Sequence, residues 1–600
     1  FPEVKDDYKG DIGRMALFFH IQEGPQTLVA NLKVSGNNSF PGDQLETALA
    51  DNATELYNIP GQPFSQDNIA KDRDSILNFY FNQGFPDVSF DAKATPVAGD
   101  ATRENVTYTI VEGTREYVDR IVTSGIKYTK PAVVTKQFDI HSGQPLSQVK
   151  MLDTQRHLYD LGVFNEVRMA VQDPQGESQY KDLIVQFQEA RRWTLTYGLG
   201  FEVQSGFLGA RTNPQGETGA SPRVSLDVNR INFGGRAHTL SLQSHVGRLE
   251  QRGLISYDAP RWYGHPNLRL TLTTFYDNSL DVRTFTSKRL EGSIQLEHIV
   301  NRASTLLYRF TYRRVEAANL VVDPSLIPLY SQPVRVGIPS ITYIRDKRDD
   351  PIDSHNGNYT TFDAGVASDI FGSQAAFGRA LGQNVTYTAF HGKTPARRFV
   401  FARSLQIGAA EPFGSTSVIP LPERFFAGGG NTLRGFSINQ AGPRDLTSGL
   451  PLGGNALVIN NFELRLPTAN LPWVGDNLGF VVFEDAGNVF DNTNTLAHSL
   501  FRWHQPHPED CKAAVAAAVG SVPNPARLAD ACRFDYISHS VGGGIRYRTP
   551  IGPVRFDLGY NLNPPVFPVL TIDPLTGKVT NSRHDQLGHF NFFFSIGQTF

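Results

Sequence analysis

One arginine and the glycines before it are the residues of this sequence most able to do chemistry. Residues 424–436 read Arg-Phe-Phe-Ala-Gly-Gly-Gly-Asn-Thr-Leu-Arg-Gly-Phe. Three consecutive glycines cannot fill a core and are costly inside a regular element, which favours an irregular segment. A guanidinium at Arg434, between Leu433 and Phe436, suits a loop that folds into a polar cavity and pairs with a carboxylate. The alternative is a surface hairpin loop.

Motifs of enzymes are missing from the sequence. Residues 430–435 have the glycine spacing of a phosphate-binding loop, but Phe436 stands where such a loop needs lysine. There is no Gly-x-Ser-x-Gly and no His-Glu-x-x-His sequence, and His584-Asp585 is interpreted as a solvated turn. We therefore expect no catalytic residue, no cofactor and no metal site.

The two cysteines, Cys511 and Cys532, favour a disulfide in an oxidising compartment over two free thiols. Neither a Cys-x-x-Cys pair nor a cluster of histidines surrounds them, so a zinc site is not expected. The alanine-rich stretch 513–519 between them predicts a short helix on an outer loop. A disulfide would staple that loop.

The composition favours β-structure and argues against a nucleic-acid partner. Phe and Tyr number 41 and 21, which suits strands and membrane interfaces. The net charge of −3 provides no basic surface for nucleic acid. No apolar run approaches the roughly 18 residues of a transmembrane helix. Strands of a membrane barrel alternate in polarity, however, and therefore escape that criterion.

The first third of the chain contains a tandem repeat with a long period, which indicates consecutive domains. Each unit is predicted to hold a strand, a helical stretch and two closing strands. Because residues 85–88 match residues 1–4, we expect residues 1–23 to be the end of an earlier unit and the chain to begin inside a repeat. The matching landmarks are 23–24 with 112–113, 34–36 with 123–125, and 61–66 with 143–148.

Serines and glycines mark the predicted ends of the helices in both units. Ser65 and Ser147 are predicted N-caps, and Gly84 and Gly162 are predicted left-handed C-terminal residues. The residues predicted to form the buried face of the second helix are Val149, Leu152 and Leu158.

From about residue 192 the periodicity changes from helical to alternating. About sixteen segments of roughly ten residues, with short and long connections in turn, are typical of a transmembrane barrel. A soluble sandwich also alternates, but it does not explain this length and number of segments. Alternation is clear at 268–272, 306–312, 461–466 and 554–560. The long connections are predicted at about 204–221, 409–456, 490–532 and 562–587.

The last strand has an aromatic face and the chain ends in an aromatic residue. These are Phe590, Phe592, Phe594 and the terminal Phe600. With the 424–436 stretch and the repeats, they resemble the BamA/TamA superfamily of outer-membrane protein assembly factors, and BamA more than TamA. The repeats resemble POTRA domains, the β-α-α-β-β modules of its periplasmic arm, and the ending resembles the β-signal of outer-membrane barrels.

The resemblance covers essentially the whole chain and implies its fold class. This is α+β POTRA domains followed by an all-β transmembrane antiparallel β-barrel of about sixteen strands. The expected boundaries are the end of a truncated POTRA domain at 1–26, POTRA domains at 27–114 and 115–190, and the barrel at 191–600.

In this superfamily the loop after the eleventh strand returns into the barrel lumen, where acidic residues of the next two strands hold its arginine. The matching acids here are Glu463 and Asp485. Glu463 lies on the polar face of its predicted strand, whereas Glu484 is an alternative to Asp485. A lumen lined by these acids without the arginine is the other interpretation. The loop motif comprises Gly428, Gly429, Arg434, Gly435 and Phe436.

The resemblance also implies a lateral gate at the seam between the first and last barrel strands. Glycines in the first strand, at about 193–201, would weaken that strand and permit opening, although they are also compatible with an ordinary strand. The residues expected at the gate are Gly198, Gly200, Phe592, Phe594, Gly597 and Phe600.

The function implied is a non-enzymatic insertase that folds β-barrel proteins into the bacterial outer membrane. The expected partners are unfolded barrel clients and outer-membrane lipid. Periplasmic chaperones and accessory lipoproteins, or an inner-membrane-anchored partner, would bind the POTRA domains. The alternatives are a TamA-like translocation and assembly module for autotransporters, a two-partner secretion transporter, a passive porin and an outer-membrane hydrolase.

Overall fold

The structure is a computed structural model that describes residues 3–4, 17–18, 26–41, 45, 56–204, 219–247, 250–282, 284–351, 353–390, 399–466, 469–471, 475–549, 552–573 and 575–596. The chain divides into two compact units, Phe1–Ala190 and Arg191–Phe600. Within the described ranges, no helix has the length and apolar character needed to cross a membrane.

The N-terminal unit contains two three-stranded sheets of the same topology. In the order β3-β5-β4 and again in β6-β8-β7, the first strand is parallel to the central one and the third is antiparallel. The strands are β1 (Glu3–Val4), β2 (Leu17–Phe18), β3 (Leu28–Ser35), β4 (Ser89–Val97), β5 (Asp100–Val111), β6 (Tyr117–Ser124), β7 (Phe164–Val171) and β8 (Tyr180–Glu189). The helices are α1 (Gln66–Asn82), α2 (Pro131–Thr135) and α3 (Gln148–Tyr159).

The predicted ends of α1 and α3 are confirmed. The side chains of Ser65 and Ser147 accept hydrogen bonds from backbone N–H groups in the first turns of these helices. Gly84 and Gly162 follow the helices with φ angles of 85° and 67°, in the left-handed region that favours glycine.

The predicted buried face of α3 is wrong for two of its three residues. Leu158 is buried, but Val149 and Leu152 are 45% and 64% exposed. The buried residues of α3 are Thr154 and Leu158, which lie four positions apart and therefore share one face. The short helix contacts its sheet along this narrow stripe, so the other apolar residues remain outside.

The second unit is an antiparallel barrel. Seventeen described segments form sixteen strands, because β20 and β21 both pair with β22. The strand order closes with β27 beside β9, although no residue-by-residue ladder across that seam lies within the described part of the chain. The strands are β9 (Trp193–Gln204), β10 (Gly219–Phe233), β11 (His238–Gly247), β12 (Glu250–Pro260), β13 (Leu268–Val282), β14 (Phe285–Asn301), β15 (Ser304–Ala318), β16 (Val334–Asp346), β17 (Gly357–Ala367), β18 (Phe377–Phe390), β19 (Phe399–Pro412), β20 (Ala456–Arg465), β21 (Ala469–Leu471), β22 (Gly475–Phe490), β23 (Ser538–Thr549), β24 (Gly552–Asn561) and β27 (Phe590–Ile596).

The polarity of the barrel is the reverse of a soluble domain. Apolar side chains such as Phe310 and Leu558 are exposed on the outside, whereas Glu463 and Asp557 are buried inside. This follows from the alternation along each strand, because successive side chains point to opposite faces of the sheet. The outer surface is that of a barrel surrounded by lipid.

Two long connections carry most of the structure at one end of the barrel. The lumen loop, residues 413–455 between β19 and β20, packs Phe425, Leu433 and Phe436 into the main buried cluster of the unit. The outer loop, residues 491–537 between β22 and β23, packs against the hairpin of β25 (Val566–Ile572) and β26 (Val579–Gln586). The predicted long connection at 204–221 falls largely outside the described residues. The helices here are α4 (Ile327–Tyr330), α5 (Thr493–Ser499), α6 (Pro508–Ala517) and α7 (Pro525–Ala531).

Candidate functional site

The glycines of the lumen loop form a tight turn that presents Arg434. Gly428 and Gly429 have φ angles of 118° and 109°, which L-residues with side chains rarely adopt. A Cβ at Gly428 would lie 2.4 Å from the carbonyl oxygen of Ser437. The N–H of Gly429 donates to the carbonyl oxygen of Phe436 at 2.9 Å and closes the turn. The consecutive glycines are therefore needed for a compact reversal of the chain.

Arg434 is 1% exposed and forms a two-point contact with Asp485 on β22. Its Nε donates to Oδ2 at 2.8 Å and its Nη2 donates to Oδ1 at 2.7 Å. The backbone N–H of Arg434 donates to the same Oδ2 at 2.9 Å. Its Nη1 donates to Oε2 of Glu463 on β20 at 3.0 Å. Parallel bonds of this kind fix both the position and the orientation of the guanidinium.

Other side chains of the wall complete the surroundings of this arginine. The central guanidinium carbon lies 3.4 Å from the centre of the Phe483 ring, which is a cation–π contact. The amide of Asn461 donates to Oδ1 of Asp485 at 2.9 Å and to the carbonyl oxygen of Thr432 in the loop. The wall thus holds both the guanidinium and the backbone that carries it.

Arg434 belongs to a cluster of six charged residues, here named the ion cluster, of which four are buried and two, Arg465 and Arg546, are half-buried. Oε1 of Glu463 accepts from Nε of Arg465 at 3.0 Å, and Oε2 accepts from Nη2 of Arg546 at 3.3 Å. Arg546 also pairs with both carboxylate oxygens of Asp557. The cluster contains three cations and three acids, and a further buried cation beside it, Arg555, donates to the side chain of Asn431 in the loop at 3.1 Å. Its cations are Arg434, Arg465 and Arg546, and its acids are Glu463, Asp485 and Asp557.

Asp485, and not Glu484, contacts the arginine. Because Phe483 and Asp485 are buried inside the barrel, Glu484 between them points to the outside, where its carboxylate meets Nδ1 of His539 at 3.0 Å. Asp485 lies on the same face of β22 as the buried Phe483, and Glu484 lies on the other face. The sequence alone does not show which of these two faces lines the lumen.

The lumen loop also contacts β27, the last strand. The carbonyl oxygen of Gly435 accepts from the amides of Asn561 at 3.0 Å and Asn591 at 2.9 Å. Ser437 donates to the side-chain oxygen of Asn591 at 3.0 Å. Sequence reasoning missed Asn461, Asn561 and Asn591, although each follows the inward parity of its strand.

Close packing holds the loop against the wall at two glycines. A Cβ at Gly435 would lie 2.6 Å from Cβ of Ser540, and one at Gly559 on β24 would lie 2.2 Å from the carbonyl oxygen of Arg434. The backbone of the loop and the inner wall therefore touch without side chains between them.

The residues expected at the gate lie on the two strands that flank the seam. Gly198 and Gly200 are in β9, where they face Ser225 and Arg223 of β10. Phe592 and Phe594 are in β27, opposite Leu558 and Phe556 of β24, and their rings are exposed on the outside. Gly597 and Phe600 lie outside the described residues.

The outer loop contains the disulfide between Cys511 and Cys532, both buried. It joins α6 to the residue after α7, within an apolar cluster shared with the β25–β26 hairpin. The predicted helix between the cysteines corresponds to α6. Among the described residues, no group of His, Cys, Asp or Glu has the arrangement of a metal site.

Two sequence families match the chain. One, described as "Omp85 superfamily domain", matches residues 232–600. The other, named POTRA and described as "Surface antigen variable number repeat", matches residues 27–113. The first match includes the lumen loop and every member of the ion cluster.

Relatives and a solved structure resemble nearly the whole chain. Outer membrane protein assembly factor BamA of Nitratidesulfovibrio vulgaris (strain Hildenborough) is 22% identical, over 93% of this chain and 62% of its own length. BamA of Neisseria meningitidis serogroup B is 21% identical, over 88% and 64%. The chain thus spans less than two thirds of these relatives. The crystal structure of BamA from Haemophilus ducreyi lacking POTRA domains 1–3 is 17% identical, with a TM-score of 0.65 over 94% of this chain and 99% of that one.

Proposed function

Because the chain belongs to the Omp85 superfamily, we propose that it folds and inserts β-barrel proteins into the bacterial outer membrane. The barrel lies in that membrane and the POTRA region lies in the periplasm. The proposed activity is non-enzymatic: the protein supplies a strand edge and a locally perturbed bilayer, and the client supplies the free energy of its own folding. The similarity to outer membrane protein assembly factors supports this proposal.

The observation that carries the proposal is the attachment of the lumen loop to the wall beside the seam. Arg434 ties the loop to β20 and β22, while Gly435 and Ser437 tie it to Asn591 on β27. The loop therefore braces the last strand from inside. A brace of this kind keeps β27 in position while the edge beside it opens.

We place the gate between β9 and β27. Gly198 and Gly200 lower the cost of separating β9 from its neighbours, because glycine adds chain entropy and no side-chain packing. An open edge presents unpaired N–H and C=O groups that a client strand can bind by β-augmentation. Phe592 and Phe594 keep an apolar outer face on β27 when the seam opens.

The N-terminal unit is proposed to receive clients and accessory partners. The outer strands of its two sheets are β3 and β4 in one and β6 and β7 in the other. The edges of β3 and β6 bond to the segments 61–64 and 143–146, whereas no further strand pairs with β4 or β7 among the described residues. Extended segments of unfolded clients, periplasmic chaperones, and accessory lipoproteins or an inner-membrane-anchored partner can bind the edges of β4 and β7 by the same main-chain hydrogen bonding.

The test is client folding by the full-length protein in liposomes. The native cysteines are first replaced by Cys511→Ser and Cys532→Ser. Phe592→Cys is then combined with Gly198→Cys or Gly200→Cys to lock the seam by oxidation. We expect the unlocked protein to accelerate the folding of an unfolded barrel client, the locked protein to lose this effect, and reduction to restore it.

A matched cross-link away from the seam separates gating from general stiffening. Thr273→Cys with Ser293→Cys locks β13 to β14, where these residues face each other in the ladder. This variant should accelerate client folding as well as the unlocked protein does. Equal activity of the seam-locked protein would disprove the gate. No acceleration by any variant, together with ion conductance, would indicate a transporter.

A further inference from the structure

Two arginines face each other on the outside of the barrel, away from the seam. Arg314 on β15 and Arg335 on β16 are directly opposite in the antiparallel ladder. Arg314 shares the outward face with Phe310 and Tyr312, whose rings are exposed, whereas Arg313 points inward to Glu423. Like charges in this arrangement destabilise a sheet unless an anion lies between them.

No carboxylate pairs with either arginine within the part of the chain that the structure describes. Both side chains are exposed. The next cation on this face, Lys288 on β14, stands opposite Glu316 on β15 and so has an acid to offset it. The two arginines therefore form a site of net charge +2 beside this lysine–glutamate pair.

The position of the pair corresponds to a border of the membrane. Arg335 and Arg345 lie on the same face of β16, ten residues apart, and only apolar or small residues occupy that face between them. Ten residues of strand span about 33 Å, which a tilt of about 40° reduces to roughly 25 Å, the height of the apolar band of such barrels. Arg335 lies at the end that carries the lumen and outer loops, which is the extracellular end. The intervening residues are Gly337, Pro339, Ile341 and Tyr343.

A groove opens on the outer wall just below the arginines. Its volume is about 1020 Å³. Phe310 and Pro339 face each other in the ladder, four residues along their strands from Arg314 and Arg335, and lie at the upper end of the groove. The groove exists because small residues of β17, β18 and β19 form its floor. These are Ala364, Gly378, Ala380 and Ala409, and the exposed Glu411, opposite Gly378, also lines the groove.

The connection from β17 to β18, residues 368–376, folds over the outer wall between the arginines and the groove. The side-chain oxygen of Gln374 accepts from the backbone N–H of Arg335 at 2.9 Å, and the backbone N–H of Gln374 donates to the Arg335 carbonyl oxygen at 2.8 Å. The connection lies so close that a Cβ at Gly337 would be 1.9 Å from the carbonyl oxygen of Phe371. Ile370 at its tip is 84% exposed, and in this position it meets lipid.

We propose that Arg314 and Arg335 bind the phosphate group of an outer-leaflet lipid, one acyl chain of which passes over the 368–376 connection and occupies the groove. The phosphate resolves the repulsion between the two guanidinium groups by accepting hydrogen bonds from both. The groove would shield the acyl chain from the surrounding mobile lipid. The two hydrogen bonds between Gln374 and the backbone of Arg335 fix the position of one of the two arginines. The site lies on β15 to β19, far along the sheet from the proposed gate, and it does not depend on the gate.

The test is lipid retention by the full-length protein, measured by native mass spectrometry from detergent. The probes are a bis-phosphorylated glucosamine lipid with several acyl chains, the same lipid after removal of its phosphates, and inorganic phosphate. We expect the wild type to prefer the phosphorylated lipid. Arg314→Ser with Arg335→Ser should weaken its binding by about fivefold per arginine, the effect of one cation at a membrane surface. Binding of the dephosphorylated lipid should not change.

Three comparisons make the outcome decisive. Arg345→Ser removes a cation from the same face of the same strand at the other border, and it should leave retention unchanged. Arg314→Lys with Arg335→Lys keeps the charges and should restore most of the binding. Equal retention by the double serine variant, with its barrel folded by heat-modifiable gel migration, would overturn the proposal. Competition by inorganic phosphate at the molar concentration of the lipid would also overturn it, because the acyl chain would then contribute nothing.

Discussion

The lumen loop and the outer loop are both long connections at one end of the barrel, and they are held in different ways. The lumen loop is fixed to the wall by buried ion pairs and hydrogen bonds: Arg434 contacts acids on two strands, and Glu423 of the loop pairs with Arg313 on β15. The outer loop is fixed to itself by the Cys511–Cys532 disulfide and to the β25–β26 hairpin by apolar packing. The contacts of the lumen loop are noncovalent and can break and form again, whereas the disulfide of the outer loop is a covalent bond that persists in an oxidising compartment.

This difference indicates different roles. The ion pairs of this largely buried cluster add little net stability, because desolvation offsets most of the attraction. The ion cluster instead specifies one position of the loop, since a guanidinium anywhere else in the lumen would lose its partners. Both cysteines of the disulfide lie in the outer loop, so the bond constrains that loop whatever the positions of the barrel strands. The lumen loop is therefore the element that we expect to respond to the proposed opening of the seam.

The largest expected effect comes from Arg434→Ala. It leaves Glu463 and Asp485 buried without their shared partner, which costs about 3–5 kcal/mol. The lumen loop should lose protection from hydrogen exchange by roughly a hundredfold or more, and client folding in liposomes should slow.

Arg424→Ala is the matched control in the same loop. Arg424 donates to the carbonyl oxygens of Ile419 and Leu452 and stacks on Tyr330, all within or beside the loop, and forms no carboxylate ion pair among the described residues. Its removal should therefore have a much smaller effect on client folding. A full loss of client folding in this control, or normal folding with Arg434→Ala, would refute the special role of the ion cluster.

The second-largest effect is expected from Cys511→Ser with Cys532→Ser, which removes the disulfide. A bridge across 21 residues is worth about 3 kcal/mol, and the loss should be confined to the outer loop. Hydrogen exchange should rise in α6 and α7 and stay unchanged at 428–436, with normal client folding. Leu446 of the lumen loop packs against the disulfide cluster. A rise in exchange at 428–436 would mean that this contact couples the loops, and the comparison between them would fail.

The smallest effect is expected from Phe483→Leu, which removes the ring stacked on Arg434 and keeps both carboxylates. The loss should be about 1–2 kcal/mol, from the cation–π contact and lost packing. Phe480→Leu is the control on the opposite face of β22, where Phe480 is 38% exposed on the outside. Hydrogen exchange of the lumen loop should rise only with Phe483→Leu. An equal rise with both substitutions would mean that β22 as a whole, and not the stacked ring, sets the stability of the loop.

Much of the fold follows from local patterns. Alternation of polar and apolar residues predicts the barrel, and serine and glycine positions predict the ends of α1 and α3, because these signals act within a few residues. The family expected from the motifs is confirmed by the match over residues 232–600. The prediction that Val149 and Leu152 are buried was wrong because it used only such a local pattern. Periodicity shows that a helix has an apolar stripe, but it does not show how much of that stripe a small sheet covers.

The sequence by itself determined that Arg434 follows an irregular glycine-rich segment, that Glu463 is on the polar face of its strand, and that two cysteines are 21 residues apart. Only the tertiary structure decided that Asp485 and not Glu484 meets the arginine, that Asn591 joins the loop to the last strand, and that Arg314 opposes Arg335. These contacts link residues far apart in sequence, because closing a barrel sets the register of each strand against the next. A shift of one residue in that register would exchange the inner and outer faces of a strand, and the register cannot be read from a local sequence pattern.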